Sequence, residues 1–531
     1  MSLRVSRRAF LQTGAAALIL AGKARAGSRY ELEIVERRLG PARAVLANGA
    51  LPGPTLRWRE GETAEIAVTN SLREPTSIHW HGIRTPSGMD GVPGLSFDGI
   101  APGETFLYRF PLRQSGTYWY HGHSGFQEQV GLAGAIVIDP AEGHAQPFDR
   151  EHILMLSDWT DEDPARMLSN LKFQSDYYNR GRRTLGDFFA DAGRDGLGAA
   201  LRDRLEWGRM RMSPTDILDV SGAAYRYLIN GRSDWSGLFA ASERVRLRLI
   251  NAAAMTIFDL RIPGLPMSVV EADGNAVEPV AVDQIRIGPA ETYDVIVTPE
   301  AGRAYAVFAQ AEDRSGFAAA TLAPKPGMTA ILPPMDPRPV RSMTDMGMGG
   351  MDAAMMAEMH HGMPAGIEAG VEIDNVAMMP VPRQGQADLD APEGRRVLSY
   401  ADLKAARPGG DQREPTREIV LHLTGNMQRY IWGFDGRKYS DARPIHLDLG
   451  ERVRFVMIND TMMEHPIHLH GLWSEIDNGQ DAFRPRKHTV TIKPGEKLAF
   501  LVSADTPGRW AFHCHLMLHM ESGMFREVHV A

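Results

Sequence analysis

His513-Cys514-His515-Leu516-Met517-Leu518-His519-Met520-Glu521-Ser522-Gly523-Met524 contains the only cysteine of a 531-residue chain, set between two histidines. A lone cysteine cannot close an internal disulfide. A soft thiolate, with an imidazole five residues on and a thioether ten residues on, is the donor set of a blue-copper electron-transfer site. The competing reading is a buried structural cysteine with incidental histidines. The rest of the sequence weakens it.

Related patterns recur as His79-Trp80-His81, His121-Gly122-His123 and His465-Pro466-Ile467-His468-Leu469-His470. Chance gives about 0.6 His-x-His triplets in a chain of this length and histidine content, and this chain has four. Side chains alternate on a strand, so both imidazoles of a triplet leave the same face. Two pairs come from each end of the chain, so the N- and C-terminal parts must meet around a shared metal cluster. In Ala511-Phe512-His513-Cys514-His515 the alternation sends Cys514 to the face opposite His513 and His515. The thiolate then serves one metal and its neighbours serve others, which makes a short covalent path for electrons.

The length exceeds one core, and three domains is the natural division. With 43% hydrophobic and 23% charged residues, the composition is that of an ordinary globular protein. A net charge of -8 and a pI near 6.2 argue against non-specific nucleic-acid binding and are compatible with a cationic substrate. Ser6-Arg7-Arg8-Ala9-Phe10-Leu11, the apolar run behind it and Ala24-Arg25-Ala26 read as a twin-arginine export signal over residues 1–26. That run is too short to span a bilayer as a mature helix. The expectation is a periplasmic protein, exported by the twin-arginine machinery and not membrane-spanning when mature. The periplasm is oxidising, yet no disulfide pair exists, so a metal explains the single thiol better than stapling does.

Short strands punctuated by Gly and Pro fill a first domain over residues 27–150, with examples at 62–69, 105–110, 116–120 and 133–138. This is the spacing of an antiparallel sandwich or barrel. Asp90 lies nine residues after His81 in the turn Met89-Asp90-Gly91-Val92-Pro93-Gly94, and on spacing alone a solvated turn residue and a functional acid both remain open. A second domain, 151–330, has strands at 153–156, 225–230, 244–251, 258–262, 267–271 and 292–298. Residues 171–212 interrupt it, and 198–212 read as an amphipathic helix with Leu201, Leu205 and Trp207, a surface insertion packing one face. Lacking Cys and His-x-His, this domain is expected to space and orient the other two.

Residues 331–390 break the composition. Ten of the 27 methionines fall at Met343, Met346, Met348, Met351, Met355, Met356, Met359, Met363, Met378 and Met379, beside His360-His361, in what reads as a linker or loop. Thioethers suit Cu(I) but also pack adaptably. The scarcity of other large apolar residues favours copper contact. A third domain, 391–531, has strands at 418–423, 446–449, 452–458, 489–492 and 497–502, and a last one at 508–512 delivers the cysteine segment. His144, His152, His422, His446, His488 and His529 stand alone and read as surface or satisfied core histidines.

These residues resemble the multicopper oxidases built of three cupredoxin domains, whose four copper signatures the histidine motifs match in order. More narrowly they resemble the copper-resistance protein A (CopA-type) oxidases of the bacterial periplasm. That likeness rests on the twin-arginine start, Thr76-Ser77-Ile78-His79-Trp80-His81-Gly82, the segment from Met89 to Phe97, Gly116-Thr117-Tyr118-Trp119-Tyr120-His121, Met212-Ser213-Pro214-Thr215-Asp216 and the Met-rich segment. It implies an all-β fold of three Greek-key barrel or sandwich domains with a small helical insertion in the second. It also implies four copper ions. His465, Cys514 and His519 would bind the type 1 ion, with Met524 as weak axial ligand, and His79 and His468 the type 2 ion. The type 3 pair would take His81, His121 and His515 on one ion and His123, His470 and His513 on the other. Asp90 matches an acid that assists proton delivery. Two positions depart from relatives. Met520 stands where several carry a proton-relaying glutamate, with Glu521 next to it, and Thr461 stands where Cu(I) oxidases carry Asp, although Met463 matches.

The resulting expectation is a monomeric periplasmic oxidase taking single electrons at type 1 copper and reducing O2 to water at the three-copper cluster. The donor is expected to be Cu(I), with further Cu(I) held at the Met-rich segment and copper tolerance as the outcome. A laccase-type oxidase with a phenolic donor shares the coppers but needs an open organic pocket beside His519. A copper-sequestering binding protein would bind Cu(I) without consuming O2.

Overall fold

The computed structural model describes residues 29–346, 367, 370–384 and 394–531. The export-signal reading and Met348 to Met363 of the Met-rich segment lie outside the described residues. The fold is all-β, with six sheets forming three cupredoxin-like double-sheet units. In the first unit the strands Ala42–Ala47, Tyr30–Leu39, Thr63–Asn70 and Thr105–Pro111 form one sheet. Gly53–Arg59, Ala133–Asp139, Gly116–His121 and His79–His81 form the other. The second and third units each pair a six-stranded with a five-stranded sheet. Their six-stranded sheets share a design: Arg150–Thr160 runs parallel to Val245–Asn251, as Arg417–Asn426 does to Arg452–Asn459. Strands adjacent in space but distant in sequence are the mark of Greek-key connection.

Alternation drives the packing. In His79–His81, Trp80 turns into the first unit's core against Tyr108, ring centroids 5.0 Å apart, which leaves both histidines on the other face. Burying an aromatic side chain of this kind contributes roughly 1.5–3 kcal/mol, enough to fix the register against a one-residue slip that would turn the histidines inward. The cores of the second and third units are continuous, and Cys514 and Met524 belong to that shared core.

The insertion in the second unit comprises α1 (Pro164–Phe173), α2 (Leu185–Asp195) and α3 (Leu197–Arg209). Asp163 caps α1 through the Ala165 N–H, and Thr184 with Asp187 forms a capping box on α2. Of the apolar residues named for the packing face only Trp207 is buried, with Ala200, while Leu201 and Leu205 are exposed. The helices α2 and α3 pack on each other, so Trp207 docks the hairpin and its leucines look outward. Among the described residues no helix is long and apolar enough to cross a membrane.

Candidate metal centre

Strand register assembles the site. His79 lies opposite His121, and His468 lies opposite His513. Ile467 faces Cys514, and His465 opens the strand that carries His468. Beyond Cys514 a single helical turn, α4 (Met517–Glu521), folds the chain back and returns His519 to the thiol. His465 Nδ1, Cys514 Sγ and His519 Nδ1 converge, with separations of 3.5, 3.9 and 3.2 Å. All three donor atoms lie within 4.8 Å of one another, close enough for one metal ion to be reached by each. Met524 is fully buried, and its carbonyl accepts the Cys514 N–H at 3.1 Å.

Burial pushes the Cys514 thiol up from its ordinary value. A thiolate there needs a bound cation, which deprotonates a coordinating thiol outright. His465 Nε2 meets Thr461 Oγ1 at 2.7 Å, so the threonine at the departing position holds a ligand's outer nitrogen. His519 Nε2 meets Asp219 Oδ2 at 2.6 Å. Asp219 also accepts from the Tyr430 hydroxyl at 2.7 Å. The Trp432 ring stacks on His519 with centroids 3.8 Å apart.

On the other side of Cys514, the eight His-x-His imidazoles form one cluster contributed by the first and third units. His79 stacks near His470 and His81 on His468, at centroid distances of 3.9 and 3.8 Å. Six imidazoles aim a buried nitrogen with no hydrogen-bond partner among the described residues: Nε2 of His79, His121, His123, His468 and His515, and Nδ1 of His81. Nε2 of His470 and of His513 face each other at 3.0 Å. The outward nitrogens, by contrast, are held. His79 Nδ1 donates to the Asp90 carbonyl at 2.8 Å, His468 Nδ1 to the His488 carbonyl at 2.6 Å, and His513 Nδ1 to the Cys514 carbonyl at 3.0 Å. His470 Nδ1 donates to Asp90 Oδ2 at 2.8 Å.

Burial, aided by neighbouring imidazoles, pushes His79, His81, His468, His470 and His515 well below the ordinary histidine value. They are neutral donors with buried lone pairs. Polar atoms left unpaired in this way are costly, and metal ions at the centre remove that cost while outer partners fix each tautomer.

The structure thus brings the ten expected histidines and Cys514 into two neighbouring groups of donor atoms, and buries Met524 in the adjoining core. Asp90 is buried rather than a solvated turn residue, and Gly91 allows it: at φ +84° a side chain there would collide with the Ile78 carbonyl. Glu521 faces outward and Met463 is buried. Three residues escaped the sequence reading. His488, read as isolated, lies in the cluster with Nδ1 3.1 Å from His81 Nε2, where Gly82 makes room for its ring. Glu128 meets His121 Nδ1 at 2.7 Å. Asp219 comes from the second unit, expected to space and orient the other two, and places a carboxylate on His519 as well. An acid inside the apolar run Ile217-Leu218-Asp219-Val220 was the available signal.

The multicopper oxidase profile matches residues 32–143, 150–327 and 412–531. The copper resistance protein A homolog of Pseudomonas syringae pv. tomato is 49% identical, over 100% of both chains. Copper resistance protein A of Escherichia coli is 48% identical over 95% of this chain and 93% of its own. Among solved structures, Fet3p, a multicopper oxidase that functions in iron import, superposes with a TM-score of 0.69 at 18% identity, covering 95% of this chain and 90% of its own. The chain belongs to the multicopper oxidases, oxidoreductases that use O2, and within them to the copper resistance protein A proteins.

Proposed function

We propose that this oxidase works in copper resistance in the periplasm, exported by its twin-arginine signal, with Cu(I) as electron donor. His465, Cys514, His519 and Met524 would hold type 1 copper, and His79 and His468 type 2 copper. His81, His121 and His515 would hold one type 3 ion, and His123, His470 and His513 the other. When bound, these coppers supply one-electron oxidation of the donor and four-electron reduction of O2 to water.

The chain's own residues set the conditions for that chemistry. Cys514 is joined by single peptide bonds to His513 and His515, so one strand end links both sites covalently. Asp90 braces His470 through Oδ2, while its Oδ1 has no hydrogen-bond partner among the described residues and lies 3.5 Å from His79 Nδ1, the place to hold a proton beside the cluster. Asp219 keeps the proton of His519 on Nε2, which leaves Nδ1 to the metal.

The observation that carries Cu(I) over a phenol is the cover on His519. It is fully buried beneath Asp219, Tyr430 and Trp432. An aromatic donor needs an open face there, whereas a small cation does not and is attracted by the Asp219 carboxylate. The test is steady-state O2 uptake by the copper-loaded protein with Cu(I) and with a phenol. Faster turnover of Cu(I) supports this reading, and turnover of the phenol alone replaces it with the laccase one.

A further inference from the structure

Asp90 is not the only carboxylate at the cluster. Glu128 lies in the turn between His123 and the strand Ala133–Asp139 and is buried, 8% exposed. Its Oε2 is 2.7 Å from His121 Nδ1, and its Oε1 is 3.9 Å from His515 Nδ1. Among the described residues the inner nitrogens of the same two rings, Nε2 of each, have no hydrogen-bond partner, and neither has Glu128 Oε1. The rings lie 5.1 Å apart at a steep mutual angle of 72°.

The turn that carries Glu128 is pinned on both sides of it. Gln127 accepts from Thr76 Oγ1 at 2.6 Å and donates to the Pro75 carbonyl at 2.9 Å, just before the strand of His79. Gln129 donates to the Asp158 carbonyl at 2.9 Å and accepts from the Tyr225 hydroxyl at 2.7 Å, both in the second unit. Two opposed anchors at adjacent positions leave the intervening carboxylate little freedom. Glu128 also lines a narrow crevice with His123, His513, Met517 and Met520.

We propose that Glu128 is a positioning residue: its carboxylate holds the outer nitrogen of His121, lies beside that of His515, and so aims the His121 imidazole at a type 3 copper that it shares with His515. A carboxylate behind a metal-bound imidazole fixes the tautomer, orients the ring and raises its basicity. The proposal rests on the cluster assignment above, and its test separates the two. Full-length wild type, Glu128→Leu and Glu128→Gln are loaded with copper. Copper content, the blue absorption of the Cys514 site and the fraction of oxidised copper silent in electron paramagnetic resonance are then measured, since a coupled type 3 pair is silent.

Leucine should leave the blue band unchanged. It should weaken copper at the His121–His515 position by roughly 10–100-fold in chelator competition and lower the silent fraction. Glutamine, with one acceptor oxygen left, should fall between. Wild-type silent fraction and chelator resistance in Glu128→Leu would overturn the proposal. If leucine prevents folding, seen as loss of the blue band, unchanged values in Glu128→Gln would overturn it equally. A wild type without silent copper would overturn the cluster assignment itself, and this proposal with it.

Discussion

Asp219 of the second unit accepts a hydrogen bond from Nε2 of His519 in the third at 2.6 Å, and neither side chain is exposed. The domain that carries no expected copper ligand thereby sets the tautomer of one. Asp219→Ala leaves a buried N–H without an acceptor, at a cost of about 1–3 kcal/mol. It should lower thermal stability and raise the apparent KM for Cu(I), while Asp219→Asn, which keeps an acceptor, should recover most of the stability. Thermal unfolding with steady-state kinetics checks this, and wild-type behaviour of the alanine variant would count against it.

Cys514→Ser removes the soft donor between His465 and His519. The intense blue absorption requires a copper–thiolate bond, so it should vanish, and turnover should stop with every donor. Absorption spectra and O2 uptake decide the matter. Persistent turnover would mean that electrons enter elsewhere.

Asp90→Ala removes the acceptor of His470 Nδ1 and the carboxylate beside His79. Loss of such an outer partner typically costs 10–100-fold in activity or metal affinity, and about that loss is expected in reoxidation by O2. Reduction of the blue site should stay fast. Stopped-flow mixing resolves the two phases, and wild-type reoxidation would strip Asp90 of its role.

The candidate ligands were legible because strand geometry is local. A His-x-His triplet declares its face, and the odd residue between, such as Trp80 or Cys514, declares the opposite one. The partners behind the ligands were not legible, because each arrives from a distant segment. Glu128 reaches His515 and Asp219 reaches His519 only once three units have docked. His488 looked isolated for the same reason, since its neighbour His81 lies 407 positions away. The exposed Leu201 and Leu205 show the reverse failure: an amphipathic pattern gives a face without saying whether a neighbour covers all of it.

The Met-rich segment calls for a finer test than deletion. Met346 is buried in the shared core, and the neighbouring Asp345 lies 3.9 Å from Arg383, so removing them would disturb packing. Replacing Met348, Met351, Met355, Met356, Met359 and Met363 by leucine keeps length and apolar character while removing the sulfur. The apparent KM for Cu(I) should rise more than kcat falls, and a phenolic donor should be unaffected, the pattern of lost substrate binding. Unchanged Cu(I) kinetics would leave the segment as a linker.

The central claim is that electrons entering at His465, Cys514 and His519 leave to O2 at the eight-histidine cluster, with Cu(I) as their source. Its most direct test is the stoichiometry of O2 uptake when Cu(I) is added to the copper-loaded protein under turnover. The account predicts four Cu(I) oxidised for each O2 consumed, with no peroxide released and no such uptake by Cys514→Ser. Cu(I) bound without O2 consumption would contradict it and make the protein a copper-sequestering one.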